Sequence, residues 1–237
     1  MKKNVIGLVS GIGPLAGLDV LKKIYAYSAE KYSAHQDEEY PDVIMLNHGI
    51  GVDALAHRSK SFHDGIMRMV KQIQDGGANV VGIACNTAHI YFDNIKIRRN
   101  IVLVNLIEEV ALVAKKTCDN RPIGLLTSHG TRDQKLYHKY LAEQNVNFVE
   151  VNDEQQDLLD KTIDLVMAHR EKEAAKYLKK VIDELSVNGV EEFLLGCTEL
   201  PIAYDCIRNS NYHVLDANWV LAQCLVDEYM NSKPGGQ

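Results

Sequence analysis

Residues 78–89 read ANVVGIACNTAH, a short apolar run that leads into Cys85 and is followed by residues at helical spacing. Residues 190–201 read VEEFLLGCTELP and repeat this arrangement around Cys197. Each of these segments is preceded in the chain by one member of a second similar pair: VIGLVSGIG at 5–13 precedes the first, and PIGLLTSHG at 122–130 precedes the second. Because equivalent features follow each other in the same order, the sequence predicts an internal repeat of two similar lobes, each with one of these cysteines.

Short β-rich runs alternate with longer helical patterns in both halves, which is typical of βαβ units around a parallel sheet. We predict an α/β fold of two similar lobes related by a pseudo-twofold axis, each a roughly four-stranded, mainly parallel sheet flanked by helices, with the active site in the cleft between them. The predicted strands lie near 4–9, 42–47, 79–84, 101–104, 122–127, 146–151, 190–195 and 212–215. The first predicted helix begins at Pro14. The others lie near 58–76, 87–98, 107–117, 132–144, 154–168, 170–187 and 217–230.

The domain boundaries follow from the repeat and from the last helix. We expect a first lobe of residues 1–104 plus 209–237, carrying Cys85, and a second lobe of residues 105–208, carrying Cys197. The helix from Ala217 to Met230 comes after the last strand of the second lobe and is expected to return to the first. Lobes of this size are large enough to bury a core of their own.

Composition and charge limit the classes of partner. The 237 residues are 46% hydrophobic and 24% charged, as in ordinary globular proteins. A net charge of −6 argues against a nucleic-acid or anionic-membrane surface, so we expect a small-molecule partner. The apolar run near the N-terminus is interrupted by Gly11, Gly13 and Pro14, which does not fit an export signal. Five cysteines in such a chain suit a reducing compartment, and we expect a cytoplasmic protein.

A thiol at the start of a helix is favoured as thiolate by the helix dipole and by unpaired backbone amides. Cys85 and Cys197 are therefore candidate catalytic residues, although each could also be a small apolar filler of the core. The remaining cysteines, Cys118, Cys206 and Cys224, lack the strand-to-helix context and are expected to be structural. Cys85 and His89 have no second pair at metal-ligand spacing, so no metal is expected.

Polar residues cluster where the predicted strands end, and ligands bind at this edge of open α/β sheets. Ser10, Asn47 and Thr127 lie at such ends, and Asn86, Thr87, Thr198 and Glu199 directly follow the two thiols. The Ser128 to Thr131 turn has donors suited to a carboxylate. Ser, Thr and Asn are equally ordinary helix caps, and His89 and His129 are equally ordinary half-buried histidines, so both interpretations stay open.

A nucleotide-binding enzyme is a further possibility, since Gly11, Gly13 and Ala16 follow a strand as in the dinucleotide fingerprint. That fingerprint requires an acidic residue at the end of the next strand to bind the ribose. Here the next strand ends with Asn47 and His48. The pattern therefore argues against a dinucleotide cofactor.

These stretches together resemble the aspartate/glutamate racemase superfamily, most closely its aspartate racemase branch, over nearly the whole chain. The residues that carry the resemblance are Ile6–Leu8, Gly11–Ala16, Cys85–His89, Ile107–Glu109, Gly124–Leu126, Gly130–Thr131 and Gly196–Leu200.

The resemblance implies a racemase that needs no cofactor, in which Cys85 and Cys197 lie on opposite faces of the substrate α-carbon. One thiolate removes the α-proton, and the other thiol returns a proton to the opposite face. Without pyridoxal phosphate as an electron sink, hydrogen bonds to the substrate carboxylate must stabilise the carbanion. The donors implied are Asn86, Thr87, Ser128, Thr131 and Thr198. The resemblance also implies a homodimer.

Two departures from the family pattern concern the substrate. Similar aspartate racemases have an arginine where this chain has Ala54; the nearest arginine here is Arg58, four residues later. They also have a lysine near the position that Met167 and Ala168 occupy in this chain. We therefore expect an amino acid as substrate, with aspartate first and glutamate or a broader range open. The alternatives are an isomerase or decarboxylase of a small carboxylic acid, and a catalytically silent carboxylate-binding protein.

Overall fold

The computed structural model describes residues 4–50, 60–118, 121–207 and 212–231. Within these ranges the strands are β1 Ile6–Ser10, β2 Val43–Asn47, β3 Val80–Ile83, β4 Val102–Leu103, β5 Ile123–Thr127, β6 Phe148–Glu150, β7 Glu192–Gly196 and β8 His213–Asp216. Each lies where the sequence predicts a strand, with its ends displaced by a few residues. The alternation of apolar runs and turn residues is therefore sufficient to find the strands.

The helices in the same ranges are α1 Pro14–Tyr32, α2 Lys60–Asp75, α3 Leu106–Thr117, α4 His129–Asp133, α5 Leu136–Glu143, α6 Asp153–Met167, α7 Glu171–Val187, α8 Leu200–Tyr204 and α9 Ala217–Asn231. Short 3-10 helices occupy Asp37–Glu39 and Thr87–Asn94. The predicted helix at 132–144 is interrupted, because Lys135 takes a left-handed conformation between α4 and α5. No helix of the described residues is long and apolar enough to cross a membrane.

The strands form two parallel sheets of four strands with equivalent orders, β2-β1-β3-β4 and β6-β5-β7-β8. In the first sheet Leu8 lies beside Met45 and Gly82, and in the second Leu125 lies beside Glu150 and Leu194. The central strands β1, β3, β5 and β7 are buried throughout, as expected for parallel strands covered by helices on both faces. The predicted α/β class, with two similar parallel sheets, is confirmed.

Amphipathic helices bury one face against each sheet. In α2 the buried side chains recur at helical spacing and join the core of the first sheet: Phe62, Ile66, Met69, Val70 and Ile73. In α7 the same spacing buries Leu178, Val181, Ile182 and Leu185. Burial of a large aliphatic side chain stabilises a fold by about 1.5–3 kcal/mol, so these faces hold the central strands rigidly. The residues that follow β3 and β7 therefore start from fixed positions.

The chain divides into one unit of Met1–Leu106 with Asn218–Gln237 and another of Ile107–Ala217. The first boundary lies close to the predicted one at 104. The second lies later than the predicted one at 208, because β8 pairs with β7 from Glu192 to Leu195 and so belongs to the second sheet. The expected return of the last helix occurs at the start of α9, where Asn218 already contacts α1 through Asp19.

Candidate active site

Cys85 lies in a short segment between β3 and the 3-10 helix, and its side chain is buried to 6% exposure. The carbonyl oxygen of Cys85 accepts a hydrogen bond from Nδ1 of His89 at 2.9 Å. In an α-helix the backbone N–H of His89 would donate to that carbonyl, but here it donates to the carbonyl of Asn86 at 3.0 Å. The His89 ring thus replaces an α-helical hydrogen bond. This explains why the predicted helix at 87–98 is instead a 3-10 helix.

His89 is a neutral imidazole with a defined tautomer. Its Nε2 accepts a hydrogen bond from the backbone N–H of Leu106 at 3.3 Å, so the proton of the neutral ring resides on Nδ1. Burial lowers the pKa of His89 to about 4, well below its ordinary value. The ring is stacked on Phe92. His89 therefore fixes the backbone of Cys85 to the start of α3 and is not poised to act as an acid near neutral pH.

The other residues predicted in this unit differ in accessibility. Asn86 and Thr87 are buried directly after Cys85. Ser10 is fully buried at the end of β1, packed so closely on Gly17 of α1 that a Cβ at position 17 would collide with its hydroxyl. Asn47 is exposed and donates a hydrogen bond to the carbonyl of Pro14 at 3.3 Å. Ser10 and Asn47 thus connect β1 and β2 to α1. The role of Ser10, Asn47, Asn86 and Thr87 as substrate contacts stays a prediction.

Cys197 follows β7 in the second unit and is buried to 7% exposure. Its thiol donates a hydrogen bond to Oε2 of Glu199 at 3.1 Å. The hydroxyl of Thr198 donates to the same oxygen at 3.0 Å. Burial raises the pKa of Glu199, and the hydrogen bonds from Cys197 and Thr198 oppose that shift. The thiol is therefore in direct contact with a buried carboxyl group.

Tyr137 of α5 forms a further side of the Cys197 environment. Its ring is fully buried and lies against Gly196, where a Cβ would be 2.8 Å from Cε2 of Tyr137 and 2.9 Å from Cγ2 of Thr127. Burial, and to a lesser extent the charge of Cys197, raises the pKa of Tyr137. Tyr137 therefore stays a neutral phenol beside Cys197. Sequence reasoning missed this residue, because its position on α5 is simply one of an apolar face.

The turn from Ser128 to Thr131 is held by contacts within the second unit. Ser128 is the N-cap of α4, since its hydroxyl accepts a hydrogen bond from the N–H of Thr131 and donates one to the hydroxyl of Thr131. The N–H of His129 donates to Asp160, and the imidazole pairs with Asp133 at 3.2 Å. The capping interpretation accounts for these contacts of Ser128 and Thr131. Their role as substrate donors stays a prediction.

Neither candidate thiol begins a long α-helix. The helix after Cys85 is of the 3-10 type, and α8 begins three residues after Cys197 and ends at Tyr204. The effect of a helix dipole declines within the first turn and is small for so short a helix. The preference of both thiols for the thiolate form stays a prediction, and side-chain neighbours are the local features that distinguish the two sites.

The described residues also bear on metal binding and on the two positions where similar racemases have a cationic side chain. Among the described residues no group of three or more His, Cys, Asp or Glu side chains is arranged to hold a metal ion. Ala54 and Arg58 lie outside the described residues. Met167 is 42% exposed at the last position of α6, and Ala168 caps that helix. These two positions therefore supply no cationic side chain.

The chain matches the model of the Asp/Glu/Hydantoin racemase family over residues 9–225. It is similar to the aspartate racemase of Picrophilus torridus, with a TM-score of 0.83 and 26% identity over 96% of this chain and 94% of that one. An aspartate racemase homologue from Pyrococcus horikoshii OT3 has a TM-score of 0.76 and 25% identity, over 98% and 100% of the two chains. The broad specificity amino-acid racemase RacX of Bacillus subtilis is 22% identical over 95% of this chain and 98% of its own length. This protein belongs to the Asp/Glu/hydantoin racemase family and is an enzyme of the racemase class.

Proposed function

We propose that this protein is a cofactor-independent amino-acid racemase in which Cys85 and Cys197 exchange protons with the substrate α-carbon. The observation that carries the proposal is the equivalent placement of the two buried thiols. Cys85 lies two residues after β3 and Cys197 one residue after β7, each strand is third in its sheet, and the two sheets have equivalent strand orders. A cysteine that only fills space would have no reason to recur at the repeated position.

The chemistry requires two groups that act on one carbon. In one direction the thiolate of Cys85 removes the α-proton, so that an S–H bond forms and the C–H electron pair stays on the substrate. The thiol of Cys197 then gives its proton to the opposite face and becomes the thiolate. The opposite enantiomer reverses these roles. Acid–base catalysis by positioned side chains contributes about 10²–10⁴-fold to such a rate, and that both thiols serve one substrate is part of the proposal.

Hydrogen bonds to the substrate carboxylate must stabilise the carbanion, because no electron sink takes part in the proposed reaction. We assign this role to the polar residues that follow the thiols: Asn86, Thr87 and Thr198. All three are buried, where a hydrogen bond to a developing charge is stronger than in water. Ser128 and Thr131 are retained as further candidates.

Aspartate is the first substrate to test, because solved structures similar to this chain include an aspartate racemase. A broader range is supported by the similarity to a broad specificity racemase and by the uncharged side chains at positions 167 and 168. A distal carboxylate without a cationic partner would bind more weakly, by about 1.5–3 kcal/mol for one lost hydrogen bond to a charged group. Glutamate and neutral amino acids therefore belong in the same screen.

The test combines deuterium exchange with chiral analysis. Each enantiomer of aspartate, glutamate and several neutral amino acids is incubated with the protein in D₂O. Loss of the α-proton signal is followed by NMR and inversion by chiral chromatography. We expect C85A and C197A to lose inversion by at least about 10²-fold while each retains exchange of one enantiomer only, because one base remains. C206A is the matched control, since Cys206 is exposed beyond α8, and it should retain wild-type inversion.

Three results would contradict the proposal. Inversion at the wild-type rate in both C85A and C197A would show that the thiols are not the two bases. Isomerisation or decarboxylation of a small carboxylic acid, with no exchange of any amino acid, would favour the alternative enzyme. Thermal stabilisation by amino acids without any exchange would favour a carboxylate-binding protein.

The assembly and location are also proposals. Family members of this kind are expected to be homodimers, which size-exclusion chromatography with light scattering tests directly. The five cysteines, all in the described part of the chain, are not joined by disulfides. Since thiol catalysis needs reduced cysteines, we propose the cytoplasm as the compartment in which the protein works.

A further inference from the structure

Glu199 is a carboxyl group in an unusual position, buried to 5% exposure beside a thiol. The two side chains that reach its Oε2, Cys197 and Thr198, carry no positive charge. A buried carboxylate that is not balanced by a cation is costly, and such groups tend to take up a proton. The surroundings of Glu199 therefore favour its neutral form far more than water does.

The contact with Cys197 gives that proton a nearby source. In water a thiol with an ordinary pKa of about 8.5 does not protonate a carboxylate whose pKa is about 4.3. Burial raises the pKa of Glu199, which brings the two groups closer in acidity. Sγ and Oε2 are already joined by a hydrogen bond of 3.1 Å, so a proton can move between them without any rearrangement.

We propose that Glu199 is the base that removes the thiol proton of Cys197, so that the two side chains share one proton and one negative charge. In this step the S–H bond breaks, the O–H bond of a carboxylic acid forms, and the electron pair of the S–H bond stays on sulfur. The resulting thiolate then takes the α-proton of the substrate. This last use rests on the proposed racemase function, whereas the sharing of the proton does not require a substrate.

The role differs from the one that the sequence predicts for Glu199. As a substrate contact it would direct its carboxylate to the ligand, but in the structure Oε2 is held by its two neighbours in the chain. A negative carboxylate would also repel the carboxylate of an amino acid. Glu199 acts through Cys197, and we therefore describe it as a positioning residue of the reaction.

The titratable groups near this pair, within the described part of the second unit, lie on α5, β8 and α4. Tyr137 of α5 is next to Cys197 and stays a neutral phenol. The buried side chains of α6 and α7, which pack on α8, are uncharged. Asp216 ends β8 beside Leu195, and the imidazole of His129, the first residue of α4, lies beside Asp133 and Asp160. The protonation state of the Cys197–Glu199 pair therefore depends mainly on these two residues themselves.

The experiment measures the thiolate of Cys197 without substrate. The rate of its alkylation by iodoacetamide is followed by mass spectrometry of the peptide, from about pH 5 to about pH 10, which spans the ordinary pKa values of both groups. While the pair holds one proton, its thiolate fraction is independent of pH. The wild-type rate should therefore have a plateau, with a further rise only at alkaline pH. In E199Q the rate should instead rise about tenfold per pH unit to a single apparent pKa.

Cys85 in the same samples is the internal control, and its profile should not change in E199Q. E199D keeps a titratable carboxyl group and should retain a plateau, displaced in pH. In the reaction itself E199Q should lower kcat by about 10²-fold, the usual effect of losing a proton-transfer group, with little change in KM. The wild-type profile is informative even if E199Q does not fold.

Two results would overturn the inference: a wild-type profile without a plateau, and an E199Q profile that superimposes on that of the wild type. A raised KM with unchanged kcat in E199Q would return Glu199 to the role of substrate contact. Failure of the racemase proposal has a different signature. In that case no amino acid exchanges its α-proton, while the plateau and its loss in E199Q remain.

Discussion

Cys85 and Cys197 hold equivalent positions in their sheets, but their immediate neighbours differ chemically. The carbonyl of Cys85 is held by a neutral imidazole, which orients the backbone and does not titrate near neutral pH. Sγ of Cys197 contacts a buried carboxyl group. The repeat therefore places two thiols at equivalent positions with different chemical neighbours. His89 holds the backbone of Cys85, and Glu199 contacts the thiol of Cys197.

His89 should make the stability of the protein sensitive to acid. Its pKa is lowered to about 4 in the folded chain, whereas the unfolded chain takes up the proton near 6.5. As the pH falls through this window the unfolded state binds a proton that the folded state does not. The free energy of unfolding should therefore fall by up to about 3 kcal/mol. Urea unfolding at several pH values measures this loss.

The variant H89N keeps a donor for the carbonyl of Cys85 but has no group that titrates. At high pH it should be less stable by about 1–3 kcal/mol, because the N–H of Leu106 loses its acceptor. Between the two pKa values its stability should change less with pH than that of the wild type. An equally steep acid loss in H89N would show that other groups cause it.

Tyr137 should influence the thiolate of Cys197 through its hydroxyl. In Y137F the ring still packs on Gly196, so we expect little loss of stability, while the dipole of the phenol beside Cys197 is removed. A hydrogen bond or dipole toward a charged group contributes about 1.5–3 kcal/mol, which corresponds to a fall in kcat of about tenfold or more. Steady-state kinetics and thermal unfolding of the variant measure the two effects separately. Unchanged kcat would show that the phenol only fills space.

The residues of the candidate site could be predicted from sequence only where they adjoin the thiols. Asn86, Thr87, Thr198 and Glu199 follow Cys85 and Cys197 in the chain, so proximity is guaranteed. Tyr137 comes from a separate helix, and nothing in its local pattern distinguishes it from a core residue. Ser10 was predicted from its place at a strand end, but the close packing of β1 on Gly17 buries its hydroxyl.

At the scale of elements, the sequence predicts what depends on local pattern and misses what depends on one side chain or one backbone angle. The strands were found because parallel strands are continuous apolar runs. The segment after β3 was expected to be α-helical, but the His89 ring takes the hydrogen bond that an α-helix would use. A helix start was predicted at Cys197 without an end, and in the structure α8 is short, from Leu200 to Tyr204.

The approach of α5 to β7 depends on the absence of a side chain at Gly196. In G196A the new Cβ would meet Tyr137 and Thr127 at distances below 3.0 Å, so one of them must move. Overpacking of this kind typically destabilises a protein by about 1–3 kcal/mol, and here it should also displace Cys197. Chemical denaturation of G196A measures the loss. The double variant G196A/T127S removes the clashing methyl group of Thr127 and should recover part of the lost stability. No recovery would show that the clash is with the Tyr137 ring alone.

At the scale of the whole molecule, the repeat was visible in the sequence because each half preserves a strand and a cysteine in the same order. The two sheets with equivalent strand orders confirm it. The boundary predicted at 208 precedes the last predicted strand of the second lobe, whereas the two units divide after that strand, at Ala217. Only the pairing of β8 with β7 decides that α9, and not β8, returns to the first unit.

The division of the thiols between the two units leads to a prediction about complementation. Cys85 lies in one unit of the chain and Cys197 in the other. If the proposed reaction uses both thiols of the same chain, mixing two inactive variants cannot restore it. Equimolar C85A and C197A proteins, unfolded together and refolded, should therefore recover no inversion, because every chain lacks one base. If a site instead combined thiols of two chains in a dimer, half of the dimers would be mixed and each would hold one intact site. The mixture would then recover about a quarter of the wild-type activity. Refolding the wild type alone provides the reference for yield, and recovery near that quarter would contradict the assignment of both bases to one chain.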